Sequence, residues 1–198
     1  MKKILLILCV LVSLSTQAQK LEHNFYAGVG YYFFSEGDKN EKGLTFKLGY
    51  GLNYYFSEQW SVMPGVGYRE VIENAFKAEK DGGNDDHFTF IDVPVIAQYH
   101  IGNGKDSWTL GLGPVFSFCV GNTSYNINAD PKDPRNGVDK CKSFSLALQP
   151  SIAYQFAKHW KVGIEGHINL TDMKNKDDIY LDGSRHTHHV AAVVGFNF

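Results

Sequence analysis

Six ionisable residues, Lys47, Arg69, Asp92, His100, Glu165 and His167, share one property of spacing. Each falls on the small or polar register of a segment whose alternate positions are bulky and apolar. Successive side chains of a strand point to opposite faces, so all six would project from the same side of a sheet. Charges gathered on an enclosed face must pair, because an isolated buried charge costs on the order of several kcal/mol. Lys47 and Arg69 balance Asp92 and Glu165 in number. Counting outward from the first short turn sets Lys47 opposite Arg69, with Asp92 on the next strand as the carboxylate expected between them. The chemistry this allows is a plug of ion pairs, with a proton or ligand site as the sharper alternative.

Cys119 and Cys141 fall on the same register, on either side of the longest connector. Neighbouring strands would bring them within disulfide reach in an exported protein. Closing a loop of about twenty residues stabilises by roughly 3 kcal/mol in the chain-entropy account. Two reduced, inert thiols are the alternative. His186, His188 and His189, with Asp177, Asp178 and Asp182 before them, match no closed zinc spacing and read as the polar base of a loop. The acidic stretch Asp81–Asp86 lacks the ligand spacing and terminal Glu of an EF-hand and reads as a surface loop. No metal site and no cofactor is expected.

The elements that must position these groups are strands. In Leu44–Phe56 the even positions are Leu44, Phe46, Leu48, Tyr50, Leu52, Tyr54 and Phe56, while the odd ones are Thr45, Lys47, Gly49, Gly51, Asn53 and Tyr55. The pattern returns over Asn24–Phe34, Gly43–Phe56, Trp60–Ile72, His87–Ile101, Ser107–Val120, Lys142–Phe156, Trp160–Thr171 and Thr187–Phe198. Ser57–Gln59, Gly102–Asp106 and Ala157–His159 are short connectors. Ser35–Lys42, Glu73–Asp86, Gly121–Cys141 and Asp172–His186 are longer and polar. Short turns at one end and long loops at the other are the pattern of a membrane-spanning antiparallel barrel. Pro64, Pro94, Pro114 and Pro150 lie within these strands and are expected to leave ladder bonds missing and to mark bulges.

Lys2 and Lys3, the apolar run Ile4–Leu14 and the polar end Ser15–Gln19 read as a signal peptide over residues 1–19, cleaved near Ala18/Gln19. Residues 20–198 then form one domain. Cys9 lies inside the apolar run, which sets a lipoprotein reading aside. No later segment reaches the roughly eighteen to twenty apolar residues of a membrane helix. A formal charge of −2 without a Lys/Arg run gives no reason to expect nucleic acid.

Period two alone does not say which face points outward. Phe56, Trp60, Trp108, Phe156, Trp160, Phe196 and Phe198 gather on the bulky face near the short-turn end, as an aromatic belt at a membrane interface would. The other face carries Gly65, Gly67, Gly111, Gly113, Ser143, Ser145, Ala147, Gln149 and Ser151. Such residues fit a narrow lumen, whereas a water-exposed face would hold more Lys and Glu. The expected fold is an all-β, eight-stranded, antiparallel up-and-down transmembrane β-barrel. A soluble periplasmic lipocalin-like ligand-binding barrel, apolar face inward, is the alternative.

The signal peptide, the strand Phe90-Ile91-Asp92-Val93-Pro94-Val95-Ile96-Ala97-Gln98-Tyr99 and the closing strand Val190–Phe198 resemble small outer-membrane β-barrel proteins of the OmpX/PorT-like, Bacteroidetes-type group. The resemblance implies residence in outer-membrane lipid and a C-terminal strand, ending in Phe198 with Phe196, that the outer-membrane insertion machinery reads. It implies no single activity. The expected function is therefore that of a non-enzymatic, monomeric barrel with a filled lumen. It would act through extracellular loops, chiefly Glu73–Asp86 and Gly121–Cys141, on a protein or glycan ligand, or support a secretion or envelope process. A lipid A-modifying enzyme is a third reading, since barrels that deacylate lipid A carry a His and a Ser two residues apart plus an acid. His167-Ile168-Asn169 places Asn where a nucleophilic hydroxyl is needed, and on the inward register.

Overall fold

The computed structural model describes residues 21–36, 39–73, 85–102, 106–125, 142–173 and 185–198. The alternation becomes eight strands: β1 (Leu21–Glu36), β2 (Lys39–Tyr55), β3 (Trp60–Glu73), β4 (Asp85–Ile101), β5 (Ser107–Tyr125), β6 (Phe144–Phe156), β7 (Trp160–Asn169) and β8 (Arg185–Asn197). Each pairs antiparallel with its sequence neighbours, and β1 closes on β8. Beside that seam His23 and Phe198 exchange two backbone hydrogen bonds of 3.0 Å. Closure leaves no strand edge, which is the condition for sheet backbone to stand in hydrocarbon.

The strand cores lie where the alternation sets them, but several ends do not. β1 and β2 extend into Ser35–Lys42, expected as a connector, and pair as far as Glu36 with Lys39. β5 continues past Val120 to Tyr125 against Asp85 of β4. β7, in contrast, stops at Asn169. The physical reason is that ladder hydrogen bonds do not require alternation. Where both faces of a hairpin meet water, the apolar period fades while the pairing persists.

The prolines interrupt the ladders as expected but do not mark bulges: pairing lapses at Pro64 against β2, at Pro94 against β3, at Pro114 against β4 and at Pro150 against β7. Pro64, Pro94, Pro114 and Pro150 stay in register with their partners. The register shift among the described pairs falls between Thr89 and Phe90, where Val120 is the extra residue of β5. A proline removes a ladder donor without adding a residue, so the count of opposing residues is unchanged across each gap.

The bulky face is outside. Leu48 is 62%, Leu112 53% and Ile164 55% exposed, whereas Thr45, Ser117 and Ser145 on the opposite register are buried. This overturns the lipocalin-like alternative, whose apolar face would point inward. The interior holds two small apolar groups, Tyr32, Val71, Phe88, Phe90 and Met173 in one, and Ile96, Val115 and Ala147 in the other. Around these groups the lumen is polar. Tyr26 enters it over Gly49 and Gly67, and a Cβ at Gly49 would collide with its ring.

Leu48 sits at the middle of β2 with its side chain outward. Leu48→Arg should destabilise the barrel by about 2–4 kcal/mol, the range for a cation at the bilayer midplane. Equilibrium unfolding in phospholipid vesicles measures this, and wild-type stability of the variant would contradict the assigned face.

Candidate functional site

The inward register of β2, β3, β4 and β7 delivers four charges to one level of the lumen. Arg69 grips Asp92 as a fork, Nε donating to Oδ2 at 2.6 Å and Nη2 to Oδ1 at 3.1 Å, and Nη2 also donates to Ser117 Oγ at 3.3 Å. Its guanidinium lies 4.2 Å from the centre of the Phe90 ring. Such a planar, bidentate pairing is the form in which a buried arginine loses least by leaving water. Lys47 reaches Glu165 across the lumen, and Gln149 Nε2 donates to the other Glu165 oxygen at 3.1 Å. All four charged residues are buried.

This pairing differs from the one expected. Lys47 and Arg69 do face each other across β2 and β3. Asp92, however, does not bridge them; it belongs to Arg69, and Lys47 has its own carboxylate on β7. The lysine stem is long enough to span the lumen, so each cation obtains a separate counter-ion and the repulsion is offset twice.

Next to this level stand His167 of β7 and His189 of β8, directly cross-strand. Their rings stack with centroids 4.6 Å apart and planes 13° from parallel. Both residues are 2% exposed, and neither Nε2 has a hydrogen-bond partner. Tyr32 pairs with His189 on the β1 side and leads into the apolar group that closes this end of the lumen.

His100 is not part of the charged level. It lies at the short-turn end, where its Nε2 meets Ser61 Oγ at 2.8 Å, its Nδ1 meets Thr109 Oγ1 at 3.3 Å, and its ring packs 4.9 Å from that of Tyr55. Tyr55 donates to Glu22 at 2.8 Å, and Asn24, Asn197 and Gln155 are linked by hydrogen bonds beside them. Between this layer and the charged one is a cavity of about 70 Å³ lined by residues that include Asn24, Gln98, Gln149, Lys161 and Glu165.

The seven aromatic residues stand exposed on the outer surface. They pack with partners not picked out from the sequence: Trp60 with Tyr99, Trp108 with Tyr154, and Phe198 with Phe25 and His23. Cys119 is half-buried against the apolar group around Phe90, and its N–H donates to Ser143 O at 3.0 Å. Cys141 lies outside the described residues, as do Asp177, Asp178, Asp182 and positions 81–84 of the acidic stretch.

Sequence reasoning missed four features. Glu22, Lys161 and His189 are buried on the inward register. Strict parity counting along β1, β7 and β8 would have found them; His189 was hidden by the half-buried His186 and His188 that share the histidine run. The fourth is on the outer face. His87 Nδ1 lies 3.3 Å from Glu70 Oε1, Tyr68 donates to Glu70 at 3.4 Å, and Thr89 stands opposite Glu70 across the strand pair. His87-Phe88-Thr89 supplies a histidine and a hydroxyl two residues apart, a spacing already legible in the sequence.

A family model described as outer membrane protein beta-barrel domain matches residues 17–175. No curated protein matches the chain. Among solved structures, Neisserial surface protein A is similar over 92% of this chain and 100% of its own, at 15% identity and a TM-score of 0.54. At that identity the likeness is one of fold. The attachment invasion locus protein Ail of Yersinia pestis shares 14% identity over 89% of this chain and 98% of its own, with a TM-score of 0.43. The outer membrane enzyme PagL shares 12% over 86% and 97%, with a TM-score of 0.48.

Arg69→Met leaves Asp92 buried without its cation and should destabilise the barrel by about 3–5 kcal/mol. The double variant Arg69→Met/Asp92→Leu should recover most of that loss, because no charge is left uncompensated. Urea titration of the single and double variants in detergent micelles checks both; equal destabilisation by the two would deny that the pair is the unit.

Proposed function

The chain belongs to the family of outer membrane protein β-barrel domains and resides in the outer membrane, and we propose that it works there without catalysing a reaction, as a structural or interaction protein. The observation that carries this reading is the lumen. Its middle is taken up by two buried ion pairs and a stacked histidine pair, and one end by Tyr32, Val71, Phe88, Phe90 and Met173. A barrel filled in this way conducts no solute stream, which leaves its outer segments as the means of action. Residues 74–84 and 126–141 connect β3 to β4 and β5 to β6 and would present a surface to a protein or glycan, or to a secretion or envelope assembly. The chain enters the membrane after cleavage near Ala18/Gln19, with Phe198 offered to the insertion machinery, and acts as a monomer. Cys119 and Cys141 are joined as a disulfide. The Cys119 N–H to Ser143 O contact supports this, since it brings the backbone two residues from Cys141 alongside Cys119.

One observation favours a second reading, a hydrolase of outer-leaflet lipid. Glu70 could orient His87, and His87 could activate Thr89, all on the outward face. A polar ring at headgroup level accounts for the same contacts, including the bond from Tyr68, and the first reading is preferred.

The two readings separate in cells producing the full chain. Replacing residues 126–140 by a Gly/Ser linker should abolish barrel-dependent attachment to protein- or glycan-coated surfaces while heat-modifiable gel migration is retained. Barrel-dependent loss of acyl chains from lipid A, seen by mass spectrometry and removed by His87→Ala, would replace the first reading with the second. Non-reduced peptide mapping should show Cys119 linked to Cys141.

A further inference from the structure

We propose that the lumen holds an internal water-binding site at the level where the prolines interrupt the sheet. Each of the four lapses, at Pro64, Pro94, Pro114 and Pro150, contributes one inward residue to the lining of the cavity of about 70 Å³: Met63, Pro94, Ile96 and Gln149. The shared level has a chemical reason. A proline brings no N–H, so the carbonyl that faces it across the ladder loses its donor. At membrane depth hydrocarbon cannot replace that donor, and only the lumen can, through a side chain or through water. The carbonyl of Val95, which stands opposite Pro114 in its lapse, leans to the lumen side, since a Cβ at the inward Gly113 would collide with it.

A side chain at the same level points to the same occupant. Gln98 is 6% exposed and lines the cavity, yet its Oε1 has no hydrogen-bond partner and its Nε2 reaches only Met63 Sδ at 3.5 Å. Glu165 and Lys161 line the cavity as well, and charges held in a narrow lumen lose less where water reaches them. The volume exceeds the roughly 30 Å³ that one water takes in the liquid, and polar groups stand on several sides; room and polar partners together make a cavity wet. A lipid chain would leave Gln98 Oε1 and the proline-facing carbonyls unpaired, so water is the occupant these groups select. Asn24 and Thr109 line the cavity and also belong to the amide and hydroxyl layer of the short-turn end. One layer of side chains therefore parts the site from that mouth. The paired charges, the imidazoles and the apolar cap stand on the other side. Water exchanges through the short-turn end, and the lumen stays closed beyond it.

The test uses the full-length barrel, isotope-labelled and folded in deuterated detergent micelles. Nuclear Overhauser transfer from water, separated from chemical exchange, should reach the backbone amides of Met63, Ile96 and Gln149 and the side-chain amide of Gln98, with the sign of long-lived bound water. It should be absent at Phe46 and Leu48, whose pairing has no lapse on either side. Ala153→Leu grows a side chain into the cavity and should abolish the transfer. Gln98→Met removes the acceptor at nearly constant volume and should lower the urea midpoint, which keeps the test decisive if the filled variant fails to fold. Removing an oxygen that is dry and unpaired would instead raise that midpoint. Absence of transfer at all four groups in wild type, its persistence in folded Ala153→Leu, or a higher midpoint for Gln98→Met each overturns the proposal.

Discussion

Every backbone N–H and C=O of a segment crossing hydrocarbon must find its partner within the protein, and the rest of this structure depends on that constraint. Sheet meets it only by closing, and here closure ends beside the hydrogen bonds between His23 and Phe198. Once the sheet is closed, the two faces of each strand have different solvents. The bulky register faces lipid and needs no specific partner. The small register faces a narrow interior, where every polar atom must be satisfied locally or by enclosed water.

That second requirement shapes the lumen. Two cations on facing positions of β2 and β3 would be untenable alone. The structure separates their solutions, a forked arginine pair along the wall and a lysine pair across the centre. Tyr26 crosses beside them because Gly49 and Gly67 remove the side chains it would otherwise strike. The layering from short-turn end outward is hydroxyls and amides, a small cavity, paired charges, stacked imidazoles, and an apolar cap. Such a sequence of layers rigidifies a barrel too small to hold a core of ordinary size.

The outer surface is divided along its height by the same logic. Exposed Trp, Tyr and Phe pack pairwise around the short-turn end, where rings with an apolar body and a polar edge suit the boundary of lipid and water. At the other end Glu70, His87 and Tyr68 form hydrogen bonds on the outward face. The unlike ends point the molecule one way in the membrane.

The sequence alone determined the strand number, their order and which residues share a face, because parity is a local property that Leu44–Phe56 displays without reference to any other segment; that the bulky face points outward was decided by the closed barrel. It also made Lys47, Arg69, Asp92 and Glu165 legible as one interior set from register, while Glu22 and Lys161 on the same register were passed over. Which cation meets which carboxylate was decided only by the closed barrel. Lys47 and Glu165 lie on β2 and β7, and their separation depends on the width of the lumen and the stagger of strands around it. The stacking of His167 on His189, and the gathering of Phe88 and Met173 in the apolar cap, likewise need the closing geometry. The strand ends stayed illegible for a different reason. Beyond the bilayer both faces of a hairpin meet water, the apolar period disappears, and only the pairing of backbones says where the sheet stops.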